Sequence, residues 1–177
     1  MNWPPSKNNL QYRAMLQRFL YWLRAKNRHG THSPFIYSFL DQTYYRQNRQ
    51  GLPSSLWLLH AALRHFKAES AWASEPAEKL VKELQAEFPQ LVWKGAPPAD
   101  LCLFESPGNA LLEWLEKPGN FNRRTVAYVG GLREPGGQVA WKKARSLPQV
   151  RVSLENFSAG LLFFRHGQAR EHFRIRN

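Results

Sequence analysis

The chain of 177 residues contains one cysteine, and its first fifty residues contain one acid, Asp41. A lone cysteine excludes an internal disulfide and suits a reducing compartment; in the run Leu101-Cys102-Leu103-Phe104, Cys102 reads as core packing rather than a reactive thiol. Glycine is scarce where a phosphate-cradling loop would need it, because Gly95 is the only one between Pro53 and Asp100. No apolar run approaches the roughly 18 residues that span a bilayer, and MNWPPSKNN has no apolar leader segment, so a cytoplasmic protein without a transmembrane segment is expected. No metal site is expected either. His29 and His32, His60 and His65, and His166 and His172 are pairs with no cysteine or acid cluster at ligand spacing, and they read as turn, surface or capping residues.

What the chain has in excess is positive charge: 25 Lys and Arg against 13 Asp and Glu, a net charge of +12. Residues 1–50 carry eight cations against one acid, residues 51–150 twelve against ten, and residues 151–177 five against two. The excess therefore lies at the two ends. If they meet in space, Arg13, Arg18, Arg24, Arg28, Arg165, Arg170, Arg174 and Arg176 would form a basic surface able to attract anions through salt-sensitive forces.

Tyr12, Met15, Leu16, Phe19, Trp22 and Leu23 recur at helical spacing with arginines between them, which predicts an amphipathic basic helix. Such a helix suits a membrane surface or a partner, but the preferred expectation is that its aromatic stripe packs on the core, where Phe35, Ile36, Phe39 and Leu40 of a second helix offer a matching stripe. Between the two, Arg28 to Pro34 reads as a helix-turn-helix corner: Gly30 closes the first helix, Pro34 opens the second, and the Ser33 hydroxyl caps it.

Beyond the connection from Gln42 to Pro53, helices and strands alternate. Helices are expected at Ser54 to Phe66, from Glu75-Pro76 to Phe88, at Asn109 to Glu116 and at Gln138 to Ser146. Strands are expected at Ser70 to Ser74, Leu91 to Trp93, Asp100 to Phe104 and Arg124 to Val129, and Val150 to Glu155 and Leu161 to Arg165 form a closing antiparallel hairpin. This order predicts an α/β, Rossmann-like, mostly parallel sheet. Residues 1–50 would be an N-terminal helical cover and 51–177 the Rossmann-like part, together one compact domain.

The segments RHGTHSPFIYSFL, Arg28 to Leu40, and RVSLENFSAGLLFFRHGQAREHFRIR, Arg151 to Arg176, resemble a bacterial branch of the class I S-adenosylmethionine-dependent, O-methyltransferase-like enzymes. Asp100 to Glu105 resembles that family's fourth strand, and Val126 to Trp141 its fifth strand and following helix. The resemblance implies a seven-stranded sheet whose last strand enters antiparallel. The region before Asp100 is short by about one strand-helix unit against that pattern, so the sheet is expected to lack the first unit. Glu75, after the Trp72 strand, resembles the acid that accepts hydrogen bonds from the cofactor ribose, although it also fits the first turn of a helix. At the catalytic positions, Glu105 stands where the family would have an aspartate, and Gly130-Gly131 stand where it would have paired aspartates that hold a metal or take a proton. The glycine-rich loop is missing.

Three functions follow as expectations. The first is a methyltransferase-like pseudoenzyme without cofactor, working as an interaction module with an acidic protein or nucleic acid, its self-association left open. The second is an active methyltransferase using S-adenosylmethionine in a shortened pocket with Glu75 and Glu105. The third is a nucleic-acid-binding module acting through the eight arginines.

Overall fold

The computed structural model describes residues 7–25, 33–49, 51–75 and 77–176, with side chains from residue 11 onward except those of 13 and 14. Among the described residues, six α-helices surround one sheet: α1 Lys7–Arg24, α2 Pro34–Phe39, α3 Ser54–Phe66, α4 Glu78–Glu87, α5 Asn109–Glu116 and α6 Gly137–Ser146. The strands are β1 Ser70–Ala73, β2 Val92–Trp93, β3 Leu101–Phe104, β4 Val126–Val129, β5 Val152–Glu155, β6 Gly160–Phe163 and β7 Glu171–Arg174. Their order is β2-β1-β3-β4-β6-β5-β7, and β6 runs antiparallel to both its neighbours while the other pairs are parallel. The fold is Rossmann-like α/β.

Strand side chains alternate between faces, and both faces are covered, so the central strands are apolar throughout. Leu101, Leu103, Val126, Tyr128, Leu161 and Phe163 face a core closed by α2, α3 and α4. Cys102, Phe104, Ala127, Val129 and Leu162 face a second core closed by Leu111 and Trp114 of α5 and Trp141 of α6. Helix α3 is buried continuously from Trp57 to Leu63, because a π-helical turn at Leu40–Tyr44 packs on its outer side and the Trp57 indole donates to the Tyr44 carbonyl at 3.0 Å. Lys67, in the left-handed region at φ 49°, ends that helix.

Several local expectations change in three dimensions. Pro34 does open α2, but the Ser33 hydroxyl accepts a hydrogen bond from Gln168 Nε2 at 3.0 Å instead of capping the helix. The remainder of the corner, with Arg28, His29, Gly30 and His32, lies outside the described residues. Helix α4 begins at Glu78, with Ala77 as its N-cap, rather than at Glu75. The strand β7 has no clear signal in the sequence, since Glu171-His172-Phe173-Arg174 is too polar and too short to stand out. It forms because β6 runs back, so residues 164–170 suffice to bring the chain alongside β5.

The sheet is therefore not reduced in strand number. Moreover, β1 lies directly beside β3, the place of the first strand in a doubly wound sheet, and only the two-residue β2 lies outside it. Against that order the missing unit is the outermost one, not the first. Strand order depends on which strand takes the central site, and periodicity along the chain carries no information about that.

The largest correction concerns α1. Tyr12, Met15, Leu16, Phe19, Trp22 and Leu23 do not pack on the core and are 48–71% exposed. The helix is held instead from its other side. The Tyr21 hydroxyl donates to the Glu155 carbonyl at 2.7 Å, and the Ala25 carbonyl accepts from Arg176 Nε at 3.1 Å.

Candidate functional site

In open α/β sheets, ligands sit beyond the carboxyl ends of the strands, where the chain reverses its direction of winding. Here the reversal falls between β1 and β3, because the chain steps outward to β2 and then returns across β1. A cleft of about 610 Å³ opens near those strand ends, with Lys79, Glu83, Glu105, Tyr128, Arg133 and Glu134 in its wall. Its size is that of a small-molecule site. Glu105 follows β3 directly, is exposed and forms part of the cleft wall. Glu75 is exposed on the turn between β1 and α4, and the cleft wall, among the described residues, does not include it. The Tyr128 hydroxyl is hydrogen-bonded to Ser55, and burial holds its pKa above the usual phenol range, so it stays protonated at neutral pH.

The floor of this cleft is packed backbone to backbone. A Cβ on Gly130 would lie 2.6 Å from the Glu105 carbonyl oxygen, and Gly131 has φ +58°. No side chain fits at 130 unless the loop after β3 moves, and a carboxylate pair at 130 and 131 is sterically incompatible with this packing. At the end of β2, about 20 residues beyond the first turn, a dinucleotide site places its ribose-binding acid. The residue there is Lys94, whose ammonium donates to the Pro98 carbonyl at 2.9 Å.

A second cleft, of about 430 Å³, lies between α1, α6 and the ends of β5 and β7; Gln17, Arg24, Lys142 and Arg174 line it, and Arg133 and Glu134 form a wall shared with the first. At its base is Glu155, a residue that sequence reasoning treated only as the end of a strand. Its side chain is 3% exposed and both carboxylate oxygens are paired: Arg174 Nε donates to Oε1 at 2.8 Å, and Trp141 Nε1 donates to Oε2. This buried pair ties β7 to β5 and α6 to both. Arg133 is fixed nearby, its Nε donating to the Phe157 carbonyl at 2.7 Å and its guanidinium lying 4.2 Å from the Phe157 ring centre. The only signal in the sequence was a glutamate at an otherwise buried strand position, with an arginine far enough downstream to return to it.

Among the described residues, the basic side chains are divided between the two ends of the sheet. Glu155, Arg174, Gly160 and Val129 share one end of the sheet, whereas Val152, Glu171, Phe163 and Val126 share the other. Four-residue strands separate these ends by about 10–13 Å. Arg24 and Arg174 line one cleft at the first end, where Arg176 lies 4.1 Å over the Trp22 ring, and the exposed Arg18 belongs to the same helix as Arg24. Arg165 lies at the opposite end, over Phe35 at 4.2 Å, in a cleft of about 380 Å³ with Arg123, Arg124 and His166. Arg170 is engaged with the carbonyls of Ser146 and Leu147 at the end of α6, a favourable place for a cation. Arg28 and the Arg13 side chain lie outside the described residues.

Cys102 and three histidines are held within the packed structure. Burial pushes the Cys102 thiol up to about 12, far from a nucleophilic thiolate at neutral pH. His172 Nδ1 is 2.8 Å from Ser153 Oγ, and His65 Nδ1 is 2.9 Å from Thr43 Oγ1. His60, almost wholly buried in α3, has Nδ1 3.1 Å from Glu87 Oε1 but off hydrogen-bond alignment, and burial outweighs the carboxylate to lower its pKa. The unfolded chain therefore binds the His60 proton more readily than the native chain. That contribution is fully present above about pH 6.5 and is lost as pH falls through the lowered native value, at no more than about 1.4 kcal/mol per pH unit. The melting temperature should drop between pH 7.5 and 5.5, and His60→Gln should flatten the drop. An unchanged slope in that variant would assign the acid sensitivity elsewhere.

Among the described residues, no group of three or more His, Cys, Asp or Glu is placed to hold a metal ion. Compared with known proteins, the chain matches no family model, no curated protein and no solved structure.

Proposed function

We propose that this protein is a methyltransferase-like scaffold that has lost S-adenosylmethionine binding and acts as an interaction module toward anionic partners. The observation that carries the proposal is the turn after β1. It stands at the reversal point, where a cofactor's charged end would need close approach of backbone N–H groups, yet residues 74–77 are Ser-Glu-Pro-Ala with no glycine. Lys94 after β2 and the tight contact of Gly130 with Glu105 support the same reading, since the ribose acid and the acidic pair each have no place there. The basic end of the sheet, where α1 meets β7, supports the interaction role.

The competing reading, an active methyltransferase using Glu75 and Glu105, draws on Glu105 in the wall of the larger cleft. Thermal melting decides between the two. Ligand at 100 times its dissociation constant adds about 2.7 kcal/mol, which for this chain length corresponds to about 5–10 °C. The expected result is no shift with millimolar S-adenosylmethionine or S-adenosylhomocysteine. A rise of that size would overturn the proposal and return attention to Glu75 and Glu105. The nucleic-acid reading loses its single eight-arginine surface, because Arg165 and Arg170 lie at the far end of the sheet from Arg174 and Arg176.

A further inference from the structure

Helix α1 has two faces: the protein packs one of them, and of the other it covers only the edge, where Arg176 lies over the Trp22 ring. At about 100° per residue, Tyr12, Met15, Leu16, Phe19, Leu20, Trp22 and Leu23 fall within one arc about 160° wide. All seven are 42–71% exposed. The helix meets the sheet on the opposite side. There Tyr21 donates to the Glu155 carbonyl, packs edge-on against Phe157 at 5.5 Å and lies under the Arg133 guanidinium at 5.2 Å. An apolar face of this breadth on a helix that is anchored from behind is an interaction surface, since monomeric proteins rarely leave so large a contiguous patch in water.

The charge around that face selects the occupant. Lys7, Arg13, Arg18 and Arg24 belong to α1, and no Asp or Glu occurs before Asp41. Arg18 and Arg24 are exposed, and on the helical projection they fall on opposite flanks of the apolar arc. A second copy of the helix would bring two such cationic rims together, which like-charge repulsion opposes. No described helix is long and apolar enough to cross a membrane, whereas an 18-residue helix with an apolar arc rich in Trp, Phe and Leu between basic flanks is suited to lie in the plane of a bilayer. We infer that α1 docks this protein onto an anionic lipid surface, its apolar arc entering the headgroup region and Arg18 and Arg24 meeting lipid phosphates and carboxylates. This rests on the reading of the basic N-terminal end as the interacting part and is independent of whether a cofactor binds.

The test is flotation of the full chain with vesicles of phosphatidylcholine alone or with about 30% phosphatidylserine. The anionic vesicles should carry the protein and the neutral ones should not, and added salt should weaken the binding. Phe19→Asp with Leu23→Asp should cut the affinity at least about tenfold, because both changes put a charge into the apolar arc. Both positions are exposed, so an unchanged melting temperature will report that the variant is folded. The inference is overturned if the wild-type chain fails to float with anionic vesicles, if the double variant floats as well as wild type, or if the chain instead forms dimers that the double variant abolishes without any lipid binding. None of these outcomes bears on the cofactor-melting result, so the two readings fail separately.

Discussion

Replacing Asn156 by alanine is expected to cost about 3–5 kcal/mol of stability, or roughly 6–20 °C in melting temperature for a chain of this length. The side chain is fully buried in the turn between β5 and β6. Its Oδ1 accepts from the backbone N–H groups of Ser158 and Ala159 at 3.0 and 2.8 Å, while Nδ2 donates to the Ser54 carbonyl at 2.8 Å and approaches the Tyr44 hydroxyl at 3.4 Å. Alanine removes the partner of two donors and one carbonyl at once, in a place where water cannot easily replace it. The loss is more than a turn, because Ser54 opens α3 and the bond to its carbonyl ties that helix to the hairpin. Differential scanning calorimetry reads the stability change, and hydrogen exchange should show the Ser158 and Ala159 amides opening faster. A loss below about 1 kcal/mol would mean that the turn is held by its backbone bonds alone.

A comparable loss, about 3 kcal/mol, is expected for Gly160→Ala. A Cβ at this position would lie 2.6 Å from Trp141 Cζ2 and closer still to Cη2, against a ring that is itself fully buried. The conformation of Gly160 is not the issue; the occupied volume is. Either β6 or the indole must shift, and moving the indole breaks its hydrogen bond to Glu155, leaving one carboxylate oxygen in the interior without its donor. The decisive comparison is Trp141→Phe, alone and combined with Gly160→Ala. A smaller ring makes room for the methyl, so the double variant should be less destabilised than the sum of the two single changes. Additive losses would show that the methyl acts through the strand backbone rather than through the ring.

Both predictions concern the same end of the sheet, and they explain why Glu155 behaves as a structural carboxylate. Its two oxygens are satisfied by Arg174 and Trp141, and its backbone carbonyl accepts from Tyr21 and from the Ile175 N–H at 2.9 Å. One residue thereby joins β5 to β7, α6 and α1. The surface left free at that end is the outer face of α1.

Much of the fold was legible in the chain itself. The helices Ser54–Phe66 and Asn109–Glu116 and the strands around Cys102 and Ala127 follow from apolar periodicity and from the residues that end each element, which act over a few positions. The missing glycines before β3, the single cysteine and the uneven charge are also properties of sequence alone. Tertiary structure decided everything that depends on which element becomes whose neighbour. It placed β1 beside β3, so that the glycine-free turn stands at the reversal point. It added Glu171–Arg174 as an edge strand whose partner β5 lies far from it along the chain's path through β6. It divided the arginines between two ends of the sheet, and it turned the aromatic stripe of α1 outward. An amphipathic pattern states that a helix has an apolar face; only the packed molecule determines whether that face meets its own core.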